Sequence, residues 1–504
     1  MTFLRHARIT FALAVVLLAG CRVGPKYQKP PAMAQAPPVS YKESPAQFPG
    51  SDGWKVAQPQ DAMLRGKWWE IYNDAELNAL EDKLNIDNQN IRRFFANFME
   101  ARTLVAQAHS QLYPTASFGP SYSRSQASAN VGTSTGAVVS RSQTNLTSLP
   151  FDVSWEPDLW GRIRNQIREQ QYNAQVSAAD LENERLTEQA SLAMFLFRVR
   201  GQDALRAIFD QTVADDQKAL DYTRAQYETG VGTEISVVEA ENTLQNAQAA
   251  AINVGVARAQ FEHAIAVLIG DNPSSFSIPV KPLNAVPPPV PIGLPSQLLE
   301  RRPDIAGSER TMASANAAIG VADAAFFPTL TLGGQVGLES STLKHLFDWS
   351  SRIWSVGPSV SQTVYDGGLR RATVQQFTEI YNADVANYRQ TVLTAFQQVE
   401  DFLSAVRILS QQIQQQEQAA RSAQHFVDLE LARYQTGIDP YINVVTAQAT
   451  LLNDQQTLSA LHTQEMTASV QLIVALGGGW DSTQLPTPAQ VSQKLTPAET
   501  GIQK

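Results

Sequence analysis

One cysteine in 504 residues, Cys21, leaves the chain unable to form an internal disulfide. Charge is also scarce: Asp, Glu, Lys and Arg make up 17% of the chain against the usual quarter, so Gln, Asn, Ser and Thr must supply much of the polar surface. The net charge is −9, without the clustered Lys and Arg that phosphate-backbone contact requires, which argues against nucleic acid as a partner. None of the six histidines stands at metal-ligand spacing from a second ligand. There is no phosphate-binding loop, and residue order makes no case for a Ser-His-Asp triad, so an enzyme is the weakest reading and no cofactor is expected. No run of 18 apolar residues is present, so no transmembrane helix is expected.

The N-terminus holds a positive start at Arg5, His6 and Arg8, then an apolar run from Ile9 to Ala19 broken only by Thr10. That run is shorter than the ~20 residues a spanning helix needs. Residues 1–20 read as a secretory signal. Leu18-Ala19-Gly20-Cys21 resembles a bacterial lipoprotein cleavage site. The resemblance implies that Cys21 is acylated and heads the mature chain, where several acyl chains make a stable anchor. Arg22, in place of an aspartate, favours the outer membrane by the same resemblance.

Internal repetition organises the rest. Residues 227–244, YETGVGTEISVVEAENTL, and 434–451, YQTGIDPYINVVTAQATL, share nine of 18 positions without a gap. The same offset of 207 pairs Gly161 with Gly368 and Gly270 with Gly477. Leu112-Tyr113-Pro114-Thr115 pairs with Phe326-Phe327-Pro328-Thr329 at an offset of 214. The seven-residue difference falls in a Ser/Thr/Gly-rich loop, Ser123 to Thr147. The expected divisions are a lipidated extended segment over 21–66, a first repeat over 67–278, a Pro-rich linker over 279–295, a second repeat over 296–479 and a polar tail over 480–504.

Each repeat contains a very long helical pattern. From Leu369 to Tyr434 there is no Pro or Gly, and Val392, Phe396, Val399, Leu403, Val406, Leu409 and Ile413 follow coiled-coil spacing. Ile163 to Thr229 is similar, weakened only at Gly201, with Ala174, Ala178, Ala190 and Ala193 along its seam. Taken alone, such a coiled coil also suits a spacer. Four stretches, Thr115 to Arg124, Leu149 to Trp155, Thr329 to Leu338 and Ile353 to Tyr365, alternate apolar with small polar residues. That pattern fits membrane β-barrel strands and also an ordinary soluble sheet. Four strands cannot close a barrel, and open edges cannot sit in lipid, so a membrane reading requires several chains to share one barrel.

The motifs CRVGPKYQKP at Cys21, KWWEIYNDAELNAL at Lys67, WEPDLWGRIR at Trp155 and GLPSQLLERRPDIAGSERTMASANAAIGVADAAFFPTLTL at Gly293 occur in this order. Together they resemble the TolC-like outer membrane factors of the NodT type, over nearly the whole chain. The resemblance implies a fold that is mainly α with β. Three chains would form one outer-membrane β-barrel, four strands from each, continued by a periplasmic coiled-coil barrel. It implies the exit duct of a tripartite efflux pump, partnered by a periplasmic adaptor and an inner-membrane transporter of the resistance-nodulation-division type, which would supply the energy. The periplasmic tips, where the adaptor would dock, are expected at Gly230, Val231, Gly232 and Thr233, and at Gly437, Ile438, Asp439 and Pro440. A gate is expected just above, formed by Asp439, Ile442, Asn443, Thr446 and Glu239. Thr446 stands where many members carry aspartate, which shifts the expected closure from charge toward packing. The same fold serving protein secretion, or a poreless periplasmic coiled-coil lipoprotein, are the alternative readings.

Overall fold

The computed structural model describes residues 22–33, 41–42, 66–126, 128, 143–288 and 298–493. The expected signal segment, Cys21, parts of the Pro-rich stretches and the end of the tail lie outside the described residues.

The helices come in matched sets. Repeat one holds α1 (Ala75–Asp87), α2 (Gln89–Ser110), α3 (Arg162–Glu228) and α4 (Glu234–Leu268). Repeat two holds α5 (Leu298–Arg301), α6 (Pro303–Ala324), α7 (Leu369–Gln435) and α8 (Tyr441–Ala475), and a short α9 (Pro488–Val491) follows. The two long helices, α3 and α7, have 67 residues each and run about 100 Å at 1.5 Å per residue. The two return helices, α4 and α8, have 35 residues each, half that length. The other half of each long helix is flanked by α2 in repeat one and α6 in repeat two, while α3 also packs on α6 and α8 across the repeats. Two short helices therefore lie end to end along each long one.

Specific bonds fix the junctions between short helices. The Asn88 side-chain amide, at the α1–α2 break, donates to the last-turn carbonyl of Leu268 at 2.8 Å. In repeat two Arg302 has this role, donating to the Ala475 carbonyl at 3.0 Å while gripping Asp304 with two nitrogens at 3.0 and 2.7 Å. This gives the RRPD motif a structural role. Around the same level Trp68 and Trp69 bury completely against Phe197, Leu196, Ile265 and Val470. The Trp68 indole N–H donates to Gln189 Oε1 at 3.2 Å, so the WW motif anchors this core. Each such aromatic removes about 150–250 Å² from water, the largest single contributions available.

The predicted Ala seam is buried at Ala174, Ala178, Ala190 and Ala193, and the seam of α7 is buried at Val392, Val399, Leu403 and Ile413. Gly201 does not interrupt α3. A Cβ there would collide with Thr463 Oγ1, so its missing side chain lets α8 approach. No described helix is long and apolar enough to cross a membrane.

The sheet has five segments: β1 (Thr115–Phe118), β2 (Ser121–Gln126), β3 (Gln143–Trp155), β4 (Thr329–Ser340) and β5 (Arg352–Ser361). All pairings are antiparallel, with β1 and β2 both on β3, then β4, then β5. The expected first strand is thus one ribbon broken at Gly119-Pro120, because Pro120 has no N–H for the ladder. The expected last strand stops at Ser361 and not at Tyr365. Its partner β4 begins at Thr329, just after Pro328, and Asp366 instead accepts from the backbone N–H groups of Gly368 and Arg370 to start α7.

Candidate functional site

Two regions combine the features expected of a duct, one at each end of the long helices.

In the sheet, register places like residues side by side. Phe118, Phe151, Val336 and Trp354 form one row across all four ribbons, and Ala116, Val153, Gly334 and Val356 form the next. The opposite face carries Ser117, Asp152, Gln335 and Ser355 in register. The apolar face is open: Trp354 and Val356 are each 77% exposed. A soluble sheet buries its apolar face, whereas a sheet facing lipid leaves it outward. Twelve residues of β4 at about 3.4 Å each, tilted by about 40°, rise roughly 30 Å, which matches a bilayer core. Just below, Trp155 donates its indole N–H to the Leu112 carbonyl at 2.9 Å, and Trp160 donates to the Pro328 carbonyl at 2.8 Å. The Asp158 carboxylate caps the start of α3 by accepting from the N–H groups of Ile163 and Arg164 at 3.1 and 3.0 Å. The WEPDLWGRIR motif therefore carries the join of strand to helix. Two sheet edges, β1/β2 and β5, have no partner among the described residues.

At the far end, both hairpins turn by the same device. Gly230 and Gly437 take φ of +76° and +75°, the left-handed conformation that a glycine adopts without strain. Gly230 N–H donates to Tyr227 O and Val231 N–H to Gln226 O, each at 3.0 Å; Gly437 and Ile438 repeat this with Tyr434 and Arg433. These are Schellman closures of α3 and α7. Thr233 then caps α4, its Oγ1 accepting from Ser236 N–H at 3.3 Å, and Pro440 precedes α8. Each tip presents a bare apolar side chain, Val231 at 78% and Ile438 at 64% exposure. Gly232 lies back against Gln226.

The expected gate residues divide into three groups. Ile442 and Thr446 share an exposed face one turn apart on α8, and the Thr446 hydroxyl donates to the Ile442 carbonyl at 2.9 Å. Asn443 and Glu239 are half-buried. Asp439 is gripped by Arg433 across the turn, and that guanidinium holds its carboxyl below the usual range.

Residue patterning missed a second layer, above the tips. Tyr222, Tyr434 and Tyr441 meet in sequence, the first pair edge to face and the second tilted, with ring centroids 5.8 and 5.2 Å apart. Beside them a cavity of about 510 Å³ is lined by Asp216, Gln448 and Leu431 among others. Asp216 is 1% exposed with neither carboxylate oxygen hydrogen-bonded among the described residues; burial, then the neighbouring Asp215 charge, push its pKa up to about 6. The repeated tyrosines at 227 and 434 were the available signal.

This architecture defines an outer-membrane channel: a two-edged sheet with an outward apolar face, continued by helices too long for any globular core. The chain belongs to the outer membrane efflux protein family, whose model matches residues 81–271 and 294–478. It is 30% identical over 476 residues to the toluene efflux pump outer membrane protein TtgC of Pseudomonas putida, covering 94% of this chain and 95% of that one. It is 29% identical over 486 residues to outer membrane protein OprJ of Pseudomonas aeruginosa, covering 94% and 96%. The solved outer-membrane channel OprN superposes with a TM-score of 0.81 at 25% identity, over 91% of this chain and all of that one.

Proposed function

We propose that three copies of this chain close one twelve-stranded barrel and one helical tunnel, and that the assembly is the passive exit duct of a tripartite efflux pump. The observation carrying this reading is the sheet: its apolar rows are exposed and both its edges lack a partner among the described residues. In lipid those edges must be satisfied, and further copies of the same sheet do so with matching ribbon length. Cys21 is the acylation site that adds a lipid anchor. Small organic molecules are the cargo class, in keeping with the toluene pump named for one relative. A periplasmic adaptor docks at residues 230–233 and 437–440, where Val231 and Ile438 offer apolar anchors, and an inner-membrane transporter of the resistance-nodulation-division class drives export. Ile442, Asn443, Thr446, Glu239 and Asp439 narrow the tunnel above those tips.

The test is fractionation with native mass measurement. A heat-resistant, acylated trimer in the outer-membrane fraction supports the duct. A monomer that washes off with alkaline carbonate overturns it.

A further inference from the structure

Below the sheet, where strand gives way to helix, lies a cavity of about 750 Å³ between the N-terminal segment, α2, α3 and α6. Its charged lining is entirely basic: Arg22, Lys26, Arg164 and Arg168, joined by His109, with no Asp or Glu on its walls. Arg164 is held by Asp158 at 3.0 Å, but Arg22, Lys26 and Arg168 have no ion-pair partner among the described residues. Nε2 of His109 is shut from solvent and has no hydrogen-bond partner among the described residues. Leu112 and Ile167 supply apolar wall.

The cavity is a built feature. Val23 N–H donates to Trp160 O at 3.0 Å, Asn165 donates its side-chain amide to Val23 O at 2.9 Å, and Asn316 donates to Pro25 O at 3.1 Å. These bonds hold the segment carrying Arg22 and Lys26 against α3 and α6. Repetition does not account for the charge. At the offset of 207, Arg168 is matched by Gln375 and Tyr172 by Glu379; at 214, His109 is matched by Asp323. Only the first repeat builds this cluster.

Its depth identifies the ligand class. Leu112 lies three residues before β1, and Arg168 lies six residues into α3, about 9 Å below the helix start. The headgroup layer on each side of a bilayer core is about 5–8 Å thick. Helix side chains lean toward the N-terminus, so the Arg168 guanidinium reaches back toward that layer and the basic cluster borders it from below.

We propose that this cavity seats the phosphate of an anionic phospholipid of the inner leaflet, one per chain. Arg22, Lys26 and Arg168 furnish the charge and donate to the phosphate oxygens. The inference rests on the sheet spanning the outer membrane.

The test uses the full-length, acylated protein, extracted and delipidated in detergent, then titrated with phosphatidylglycerol, phosphatidylcholine or glycerol 3-phosphate, bound lipid being counted per chain by native mass spectrometry. Phosphatidylglycerol is expected to be retained at one per chain, more tightly than phosphatidylcholine. Lys26→Gln and Arg168→Gln should each weaken retention about fivefold. Arg371→Gln, the exposed counterpart of Arg164 in the second repeat, should leave it unchanged. Equal retention in wild type and both variants overturns the site. Glycerol 3-phosphate displacing the lipid at equal concentration assigns the seat to a free phosphate and overturns the lipid. Either failure leaves an embedded channel, whereas a chain absent from the membrane fraction defeats the duct itself.

Discussion

The Tyr434 hydroxyl donates to Gln226 Oε1 at 2.6 Å, joining the last turn of α7 to the last turn of α3, 208 residues away. It is a direct polar tie between the two hairpins next to their tips. Tyr434→Phe removes one hydrogen bond, worth about 1 kcal/mol, while keeping the ring contacts. The expected result is a wider opening, read as increased single-channel conductance in planar bilayers. Unchanged conductance would show that this bond does not restrain the tips.

Asp439 forms the second tie, within one turn, to Arg433. Because that carboxylate is already neutralised, block by divalent cations from the periplasmic side should be weak in the wild type. Asp439→Asn frees Arg433 and should shift selectivity toward anions, measurable as a reversal-potential change in a salt gradient. Strong cation block lost in the variant would instead make Asp439 a free charge in the lumen.

Asp216 makes the lower helices sensitive to pH. Its folded pKa of about 6 exceeds the ordinary 3.8, so the folded state binds the proton more tightly than the unfolded state. Stability at this residue is therefore fully present below about pH 4 and declines as pH rises through 6. Asp216→Asn should stabilise the region by on the order of 2 kcal/mol at pH 8 and by little at pH 4. Hydrogen exchange over 210–225 and 441–455, corrected for intrinsic rates, measures the difference. A gain independent of pH would rule out titration as its cause.

Asp74 behaves with the opposite sign. Burial alone would raise its pKa, but bonds from Arg200 and from the Leu77 N–H prevail and hold it at about 2. That stability is present above pH 3.8 and lost as pH falls toward 2. Asp74→Asn should cost about 2 kcal/mol at neutral pH and progressively less in acid, seen in denaturant melts across that range.

The two faces of the sheet should respond differently to charge. Val336→Lys faces lipid at mid-height and should cost about 2–4 kcal/mol, lowering the yield of heat-resistant oligomer. Gln335→Lys, one residue away, faces the lumen and should assemble normally while altering ion selectivity. Equal loss in both would mean that neither face meets lipid.

Much of this was legible in the residues. The offset of 207 located both hairpin turns, and the absence of Pro and Gly after Leu369 marked a helix that runs to Gln435. Strand limits were less legible, because the break at Gly119-Pro120 and the stop at Ser361 depend on which partner N–H groups exist across the ladder. The tip network was hidden for a different reason. Gln226 meets Tyr434 only after two hairpins pack, and Arg433 reaches Asp439 only because a left-handed glycine folds the chain back between them. Patterning finds periodic features; it does not find pairs made by tertiary closure.

The end-to-end arrangement of short helices beside each long one has a mechanical consequence. At the level of Asn88 and Arg302 the short helices are interrupted, while α3 and α7 pass through unbroken. Bending stiffness drops there from a pair of rods to one. A lateral load at the tips is therefore carried past that level by two continuous rods per chain, braced by the Asn88 and Arg302 bonds.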